Sequence, residues 1–141
     1  MENEFKSIGD IKVSEFMIID PFYTTPDEKI SVTELLMLKK NIGGLPVVKD
    51  SNEKQLIGII TQRDIRLARF AMNLDSPHTK VKDLMTPHPI ILSKDDSLKL
   101  ALRKMLENKV DRLPVINSNH KLIGLVTKHS IMIRIFEHLK E

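Results

Sequence analysis

The chain has no cysteine and no tryptophan, and only five Phe and one Tyr among its 141 residues. Without thiols it can form neither disulfides nor thiolate metal sites, which accords with a reducing compartment. So few rings, and scattered ones, leave no stacking platform for single-stranded nucleic acid. The net charge is +3 and carries no clustered basic footprint. Lysines and acids alternate instead, as in Lys94-Asp95-Asp96 and Glu107-Asn108-Lys109, which reads as a solvated surface and argues against nucleic acid as a partner. No apolar run approaches the roughly 20 residues that span a bilayer. Met1 to Lys12 mix charges and lack the basic-then-apolar layout of a secretory leader, so the expected location is cytoplasmic. Catalytic signatures are missing as well: there is no His-x-x-x-His pair, no nucleophile elbow and no glycine-rich phosphate loop. Acid pairs such as Asp95-Asp96 stand at a helix entry, where they complement the dipole. The expectation is a non-enzyme with no metal and no catalytic cofactor.

What is present is a duplication. Moved along itself by 68, the sequence brings Val13, Met17, Pro21 and Asp27 onto Val81, Met85, Pro89 and Asp95, and Met37 and Leu45-Pro46-Val47 onto Met105 and Leu113-Pro114-Val115. After a two-residue slip near Asn52–Gln55 the shift becomes 66. Leu56, Ile57, Gly58, Thr61, Ile65 and Phe70 then meet Leu122, Ile123, Gly124, Thr127, Ile131 and Phe136. Only two copies exist, so this is a doubled unit rather than a solenoid array. The divisions expected are an N-terminal extension at 1–10, a first repeat at 11–74, a linker at 75–80 and a second repeat at 81–141. A unit of about 60 residues buries too little surface to be comfortable alone, and two sharing a core solve that problem. Clefts at such junctions are where small ligands bind.

Each copy reads alike. A turn of helix holds Val13–Met17, or Val81–Met85. A short strand is expected near Phe22–Thr24, or Ile90–Leu92. A helix follows from Ser31 to Asn41, with Ser31 and Glu34 as a capping box and Gly43-Gly44 as its stop. Its counterpart, Ser97 to Lys109, sets Leu98, Ala101, Leu102, Met105 and Leu106 on one face. Strands Leu45–Lys49 and Leu56–Ile60 flank the turn formers Asp50-Ser51-Asn52, as Leu113–Asn117 and Leu122–Val126 flank Asn117-Ser118-Asn119, which predicts antiparallel hairpins. A closing helix ends each copy. The two closing helices carry more apolar residues than one core needs, Leu67, Phe70, Ala71, Ile131, Met132, Ile133, Ile135 and Phe136, so a homodimer is expected.

In each copy an aliphatic strand hands over to a helix at a threonine: Thr61-Gln62-Arg63-Asp64 in the first, Thr127-Lys128-His129-Ser130 in the second. Helix N-termini present free N–H groups and the positive end of the dipole, good ground for a phosphate. Thr61-x-x-Asp64 also fits a capping box, which needs no ligand, and Gly43-Gly44 is most simply a helix stop. The methionines suit core positions. Tyr23 and Thr24 can line a base pocket or pack at an edge.

The stretches NIGGLPVVKDSNEKQLIGIITQRDI and NKVDRLPVINSNHKLIGLVTKHSI, each preceded by Val-x-x-x-Met, resemble the cystathionine-beta-synthase (CBS) motif. From about Ile11 to Leu139 the chain resembles a tandem CBS pair, also called a Bateman module. The resemblance implies an α/β (α+β) fold: two repeats about a pseudo-two-fold axis, each a three-stranded mixed sheet with two main helices. It also implies clefts for adenosyl ligands, either an adenine nucleotide (AMP, ADP or ATP) or an S-adenosyl compound, as regulatory ligand. In relatives such as the gamma subunit of AMP-activated kinase, the acid of Thr-x-x-Asp holds ribose hydroxyls and basic side chains of the other repeat take the phosphate. Transferred by position, Asp64 holds ribose with Thr61 beside it, and Arg112, Lys128 and His129 take phosphate. In the second repeat Ser130 stands where the acid belongs, beside Thr127, and Gly43 and Gly44 stand where the first cleft has Asp111 and Arg112, so that cleft is expected to be weak or empty. The function implied is ligand sensing that controls an enzyme or transporter. The alternative is a structural or protein-interaction module with empty clefts.

Overall fold

A computed structural model describes residues 7–72 and 77–140. The first six residues of the expected N-terminal extension, the last two of the expected first repeat and the first two of the expected linker lie outside the described residues. In chain order the strands and α-helices are β1 (Ile18–Ile19), α1 (Ile30–Lys40), β2 (Gly44–Val48), β3 (Leu56–Thr61), α2 (Gln62–Met72), α3 (Val81–Leu84), β4 (Thr86–Pro87), α4 (Leu98–Asn108), β5 (Arg112–Ile116), β6 (Leu122–Thr127) and α5 (Lys128–Lys140). Short 3₁₀ turns at Ile8–Asp10 and Val13–Glu15 precede β1.

The elements form two compact units: a middle unit, Phe22–Pro89, and a terminal unit made of Met1–Pro21 with Ile90–Glu141. Division in space therefore differs from duplication in sequence, because each leading Val-x-x-x-Met segment packs with the other repeat's hairpin. In the terminal unit Ile11, Val13 and Phe16 share one core with Leu98, Leu113 and Val126. In the middle unit Val81 shares a core with Met37, Leu45 and Ile60. Val13 and Val81 are fully buried, and burying a valine stabilises by about 1.5–3 kcal/mol. Backbone hydrogen bonds fasten the segments in matched ways. Val13 N–H donates to Asp96 O at 2.8 Å and Leu98 N–H to Ile11 O at 2.8 Å, while Val81 N–H donates to Glu28 O at 2.9 Å and Ile30 N–H to Thr79 O at 3.1 Å.

Each unit holds one three-stranded sheet, in the order β1-β6-β5 in the terminal unit and β2-β3-β4 in the middle one. The hairpins pair antiparallel as expected, Gly44 opposite Thr61 and Arg112 opposite Thr127, each with an irregularity before its last pair. The third strand is not the one the sequence pointed to. β1 and β4, two residues each, pair antiparallel with the centre strands. Thr24 and Leu92, expected within strands, each make one parallel bridge, to Val47 and Val115, and the mixed character of the sheets rests on these.

The edge strand explains a glycine in each centre strand. A Cβ on Gly58 would stand 2.9 Å from Met85 Sδ and 2.9 Å from the Thr86 carbonyl oxygen; one on Gly124 would stand 2.5 Å from Met17 Sδ and 3.2 Å from the Ile18 oxygen. Only a missing side chain lets the methionine of the leading segment lie across the strand.

Helix ends also differ from expectation. Ser31 lies inside α1, whose N-cap is Lys29 with no side-chain cap, so the Ser31–Glu34 capping box does not form; Glu34 pairs with Arg69 instead. α1 stops at Asn41, which takes the left-handed conformation at φ 52°, and Gly44 belongs to β2. The matching stop of α4 is Lys109 at φ 54°. Asparagine tolerates that region better than lysine. At the start of α4 the expected cap is present: Ser97 Oγ accepts from Leu100 N–H at 3.0 Å.

Candidate functional site

At the end of β3 the middle unit presents an acid. Thr61 N–H donates to Asp64 Oδ2 at 2.9 Å and Asp64 N–H donates to Thr61 Oγ1 at 3.1 Å. This reciprocal pair satisfies two orphan donors of α2 and puts the carboxylate on the positive end of the helix. It uses one carboxylate oxygen; among the described residues Oδ1 accepts no hydrogen bond and remains available to hydroxyls. Gly44 lies opposite Thr61 in the ladder, and Gly43 O accepts from Gln62 N–H at 2.9 Å. Both glycines therefore sit at this same sheet end and present no side chain to it. Thr24 is buried, with its hydroxyl 3.1 Å from that of Thr33. Tyr23 is half-buried, with the Lys54 ammonium 5.3 Å from its ring centre.

At the end of β6 the terminal unit presents bases. Arg112 begins β5 opposite Thr127, and Lys128 N–H donates to Asp111 O at 3.1 Å, so Arg112, Lys128 and His129 gather at one sheet end. Arg112 Nη1 lies 3.0 Å from Asp111 Oδ1 and its side chain is 20% exposed, whereas Lys128 and His129 are exposed on the first turn of α5. No acidic residue lies in that turn. Cations at a helix N-terminus oppose the dipole, and an anion bound there relieves the opposition while using the free N–H groups. Ser130 is buried and its hydroxyl is engaged. Thr127 N–H donates to Ser130 Oγ at 2.9 Å, the hydroxyl donates to Thr127 O at 3.0 Å, and Ser130 N–H donates to Thr127 Oγ1 at 3.0 Å. With its one proton committed, Ser130 has a single lone pair left, against a whole carboxylate oxygen at Asp64.

Thr61, Asp64, Gly43 and Gly44 thus gather at one sheet end, and Arg112, Thr127, Lys128, His129 and Ser130 at the equivalent end of the other unit. Sequence reasoning gave no role to Lys54 over Tyr23, to Thr33 beneath Thr24, or to Asp111 as the partner of Arg112. The adjacency of Asp111 to Arg112 was the one visible signal. Among the described residues no group of three His, Cys, Asp or Glu is placed to hold a metal ion, and no helix is long and apolar enough to cross a membrane.

A family model for the CBS domain matches the chain twice, at residues 13–70 and 81–137. The chain belongs to the CBS-domain family. It is a CBS pair, and solved CBS pairs share its fold. A structure of CBSX2 in complex with AMP is 31% identical and covers 92% of this chain and 98% of that one, with a TM-score of 0.79; CBSX2 comes from Arabidopsis thaliana. The CBS pair of MJ0100, in complex with 5'-methylthioadenosine and S-adenosyl-L-methionine, is 26% identical over 92% of this chain and 98% of that one, with a TM-score of 0.78. Among curated proteins, inosine-5'-monophosphate dehydrogenase of Methanocaldococcus jannaschii is 35% identical over 123 residues, covering 87% of this chain and 23% of the dehydrogenase. The same enzyme of Streptococcus pyogenes is 34% identical, covering 86% and 24%. The CBS pair therefore spans about a quarter of the length of these curated relatives.

Proposed function

We propose that this CBS pair is a non-catalytic regulatory module that senses an adenine nucleotide or a related adenosyl compound. Thr61 and Asp64 take the ribose hydroxyls, and Arg112, Lys128 and His129 take the phosphate. Tyr23 contributes a face for the base, and Thr24, its hydroxyl committed to Thr33, supports that edge from beneath. The observation that carries the reading is the difference in chemistry between the two strand-to-helix corners: one holds a carboxylate with a free oxygen, the other holds cations on a helix N-terminus with no acid. A phosphorylated nucleoside needs both. Charge-assisted hydrogen bonds contribute about 1.5–3 kcal/mol each, and a few of them with base burial reach about 8 kcal/mol, which is micromolar affinity. The relatives bound to AMP and to S-adenosyl-L-methionine support the ligand class. Thr127 and Ser130 with Gly43 and Gly44 make the weaker counterpart. The regulated partner is an enzyme or transporter of the cytoplasm.

A thermal-shift panel of AMP, ADP, ATP, S-adenosylmethionine and adenosine tests the proposal, since ligand that binds only the native state raises its stability by mass action. Selective stabilisation by one of them is expected, and Arg112→Ala should weaken AMP more than adenosine. The reciprocal Thr61–Asp64 bonds favour a second reading, in which the pair is only a helix cap and the module serves protein contacts with its clefts empty. Absence of any shift at millimolar ligand would establish that reading.

The module also works as a homodimer. Leu67 and Phe70 on α2 and Met132, Ile133, Phe136 and Leu139 on α5 are exposed, whereas Ile131, expected among them, is buried in the core of the terminal unit; that remains more apolar surface than a solitary helix leaves open. Sedimentation should show about twice the 16.2 kDa chain mass.

A further inference from the structure

The two strand-to-helix corners share a main-chain contact and differ in charge. Lys128 N–H donates to Asp111 O at 3.1 Å, and at the equivalent place in the middle unit Gln62 N–H donates to Gly43 O at 2.9 Å. Glycine makes this contact without a side chain, so the corner does not need a carboxylate to hold its shape. The terminal unit nevertheless has one. Asp111 Oδ1 lies 3.0 Å from Arg112 Nη1, and the Asp111 side chain is 46% exposed against 20% for that of Arg112. The carboxylate is thus the more solvent-facing member of the pair.

We propose that Asp111 limits this corner to a single phosphate, so that the module responds to a nucleoside monophosphate and rejects the triphosphate. This rests on the nucleotide reading above and adds to it the number of phosphates. Arg112 and Lys128 bring positive charge to the corner, and Asp111 cancels that of Arg112. Lys128 has no ion-pair partner among the described residues. One terminal phosphate, with close to two negative charges near neutral pH, can use Lys128 and the guanidinium donors that Asp111 leaves free. Each further phosphate brings more negative charge to a rim whose exposed group is a carboxylate, and like charges at close quarters repel.

The main-chain donors give the same count. In the first turn of α5, Lys128 N–H is held by Asp111 O, and Ser130 N–H by Thr127 Oγ1 at 3.0 Å. Only His129 N–H, of these three, has no acceptor among the described residues. A polyphosphate is cradled by a run of free N–H groups, usually on a glycine-rich loop, and this corner offers no such run. Asp111 therefore acts as a filter rather than an anchor, an element that sets specificity by repelling the wrong ligand. Were it there only to orient Arg112, its removal would weaken all phosphorylated ligands together.

The test is calorimetric titration of the whole chain with adenosine, AMP, ADP and ATP in EDTA, so that no divalent cation bridges carboxylate and phosphates. The wild type should bind AMP at least about tenfold more tightly than ATP, with ADP between them. Asp111→Asn keeps an acceptor for Arg112 and removes the charge. It should raise the affinity of ATP relative to AMP by at least about fivefold and leave adenosine unchanged. If that variant does not fold by circular dichroism, Asp111→Ser removes the same charge. A wild type that binds ATP as tightly as AMP, or AMP no more tightly than adenosine, overturns this inference alone, and so does an unchanged ratio of ATP to AMP affinity once the charge is removed. Absence of binding by all four compounds and by S-adenosylmethionine at millimolar concentration overturns the nucleotide reading and this inference together.

Discussion

The middle and terminal units share a topology and differ in the chemistry of their equivalent positions. Beneath the sheet, the middle unit buries two threonine hydroxyls against each other, Thr24 and Thr33, where the terminal unit buries Leu92 and Ala101. Between its helices it has Glu34–Arg69 where the terminal unit has Leu102 and Ile135. Its first long helix starts uncapped at Lys29, and the terminal unit's starts on Ser97. At the strand-to-helix corner it has Asp64 against Ser130. What both keep are the features on which the fold depends: the buried valine of the leading segment, the glycine under its methionine, and the Leu-Pro-Val strand. Duplication thus left one repeat free to specialise wherever the fold does not hold both.

The largest stability effect should come from the shared glycines, and it should be unequal. Gly58→Ala drives a methyl against a backbone carbonyl that cannot step aside, and overpacking of this kind costs about 1–3 kcal/mol. Gly124→Ala meets mainly the flexible end of Met17 and should cost less; urea midpoints of the two variants would show the order. Next is the buried hydroxyl pair. Thr24→Val strands the Thr33 hydroxyl and should cost about 1–3 kcal/mol, whereas Thr24→Leu with Thr33→Ala copies the terminal unit and should be nearly neutral. A double-mutant cycle in urea checks the non-additivity. Helix capping follows: Ser97→Ala should cost about 1 kcal/mol and Lys29→Ala nothing comparable, measured by thermal melts.

The smallest effect concerns acid. Lys82 above all, by hydrogen bond and charge, and then Lys80, hold the Asp27 carboxyl below the usual carboxylate value. A depressed native pKa contributes stability above the unfolded value, and that contribution is lost as pH falls through the native one. Asp27→Asn should therefore lower stability slightly at neutral pH and leave it unchanged in strong acid, so that the acid limb of the profile flattens; the effect is small because these side chains are largely solvent-screened.

The hairpins, the main helices and the Thr-x-x-Asp corner were legible in the sequence because strand alternation, turn residues and a doubled motif all point the same way. The exchange of leading segments was not. Val13 and Val81 are equivalent, so nothing local says which hairpin each should join. The edge strands were hidden for a related reason: two residues such as Thr86-Pro87 carry no periodicity, and their place is fixed by Met85 lying over Gly58. The end of α1 at Asn41 was legible to within a residue, but its stop was ascribed to Gly43-Gly44, the louder signal, although Asn41 itself takes the left-handed conformation. At the corners the sequence showed that Ser130 replaces an acid, but not that its proton is already committed to Thr127 O.

The central claim is that the difference between Asp64 and Ser130 makes one corner a working ribose site and the other not. Calorimetric titration of AMP into the wild type, Asp64→Ala and Ser130→Ala tests it most directly. The account predicts close to one strong site per chain, a roughly tenfold to hundredfold loss of affinity in Asp64→Ala, and wild-type binding in Ser130→Ala. Undiminished binding by Asp64→Ala together with a loss in Ser130→Ala would contradict it.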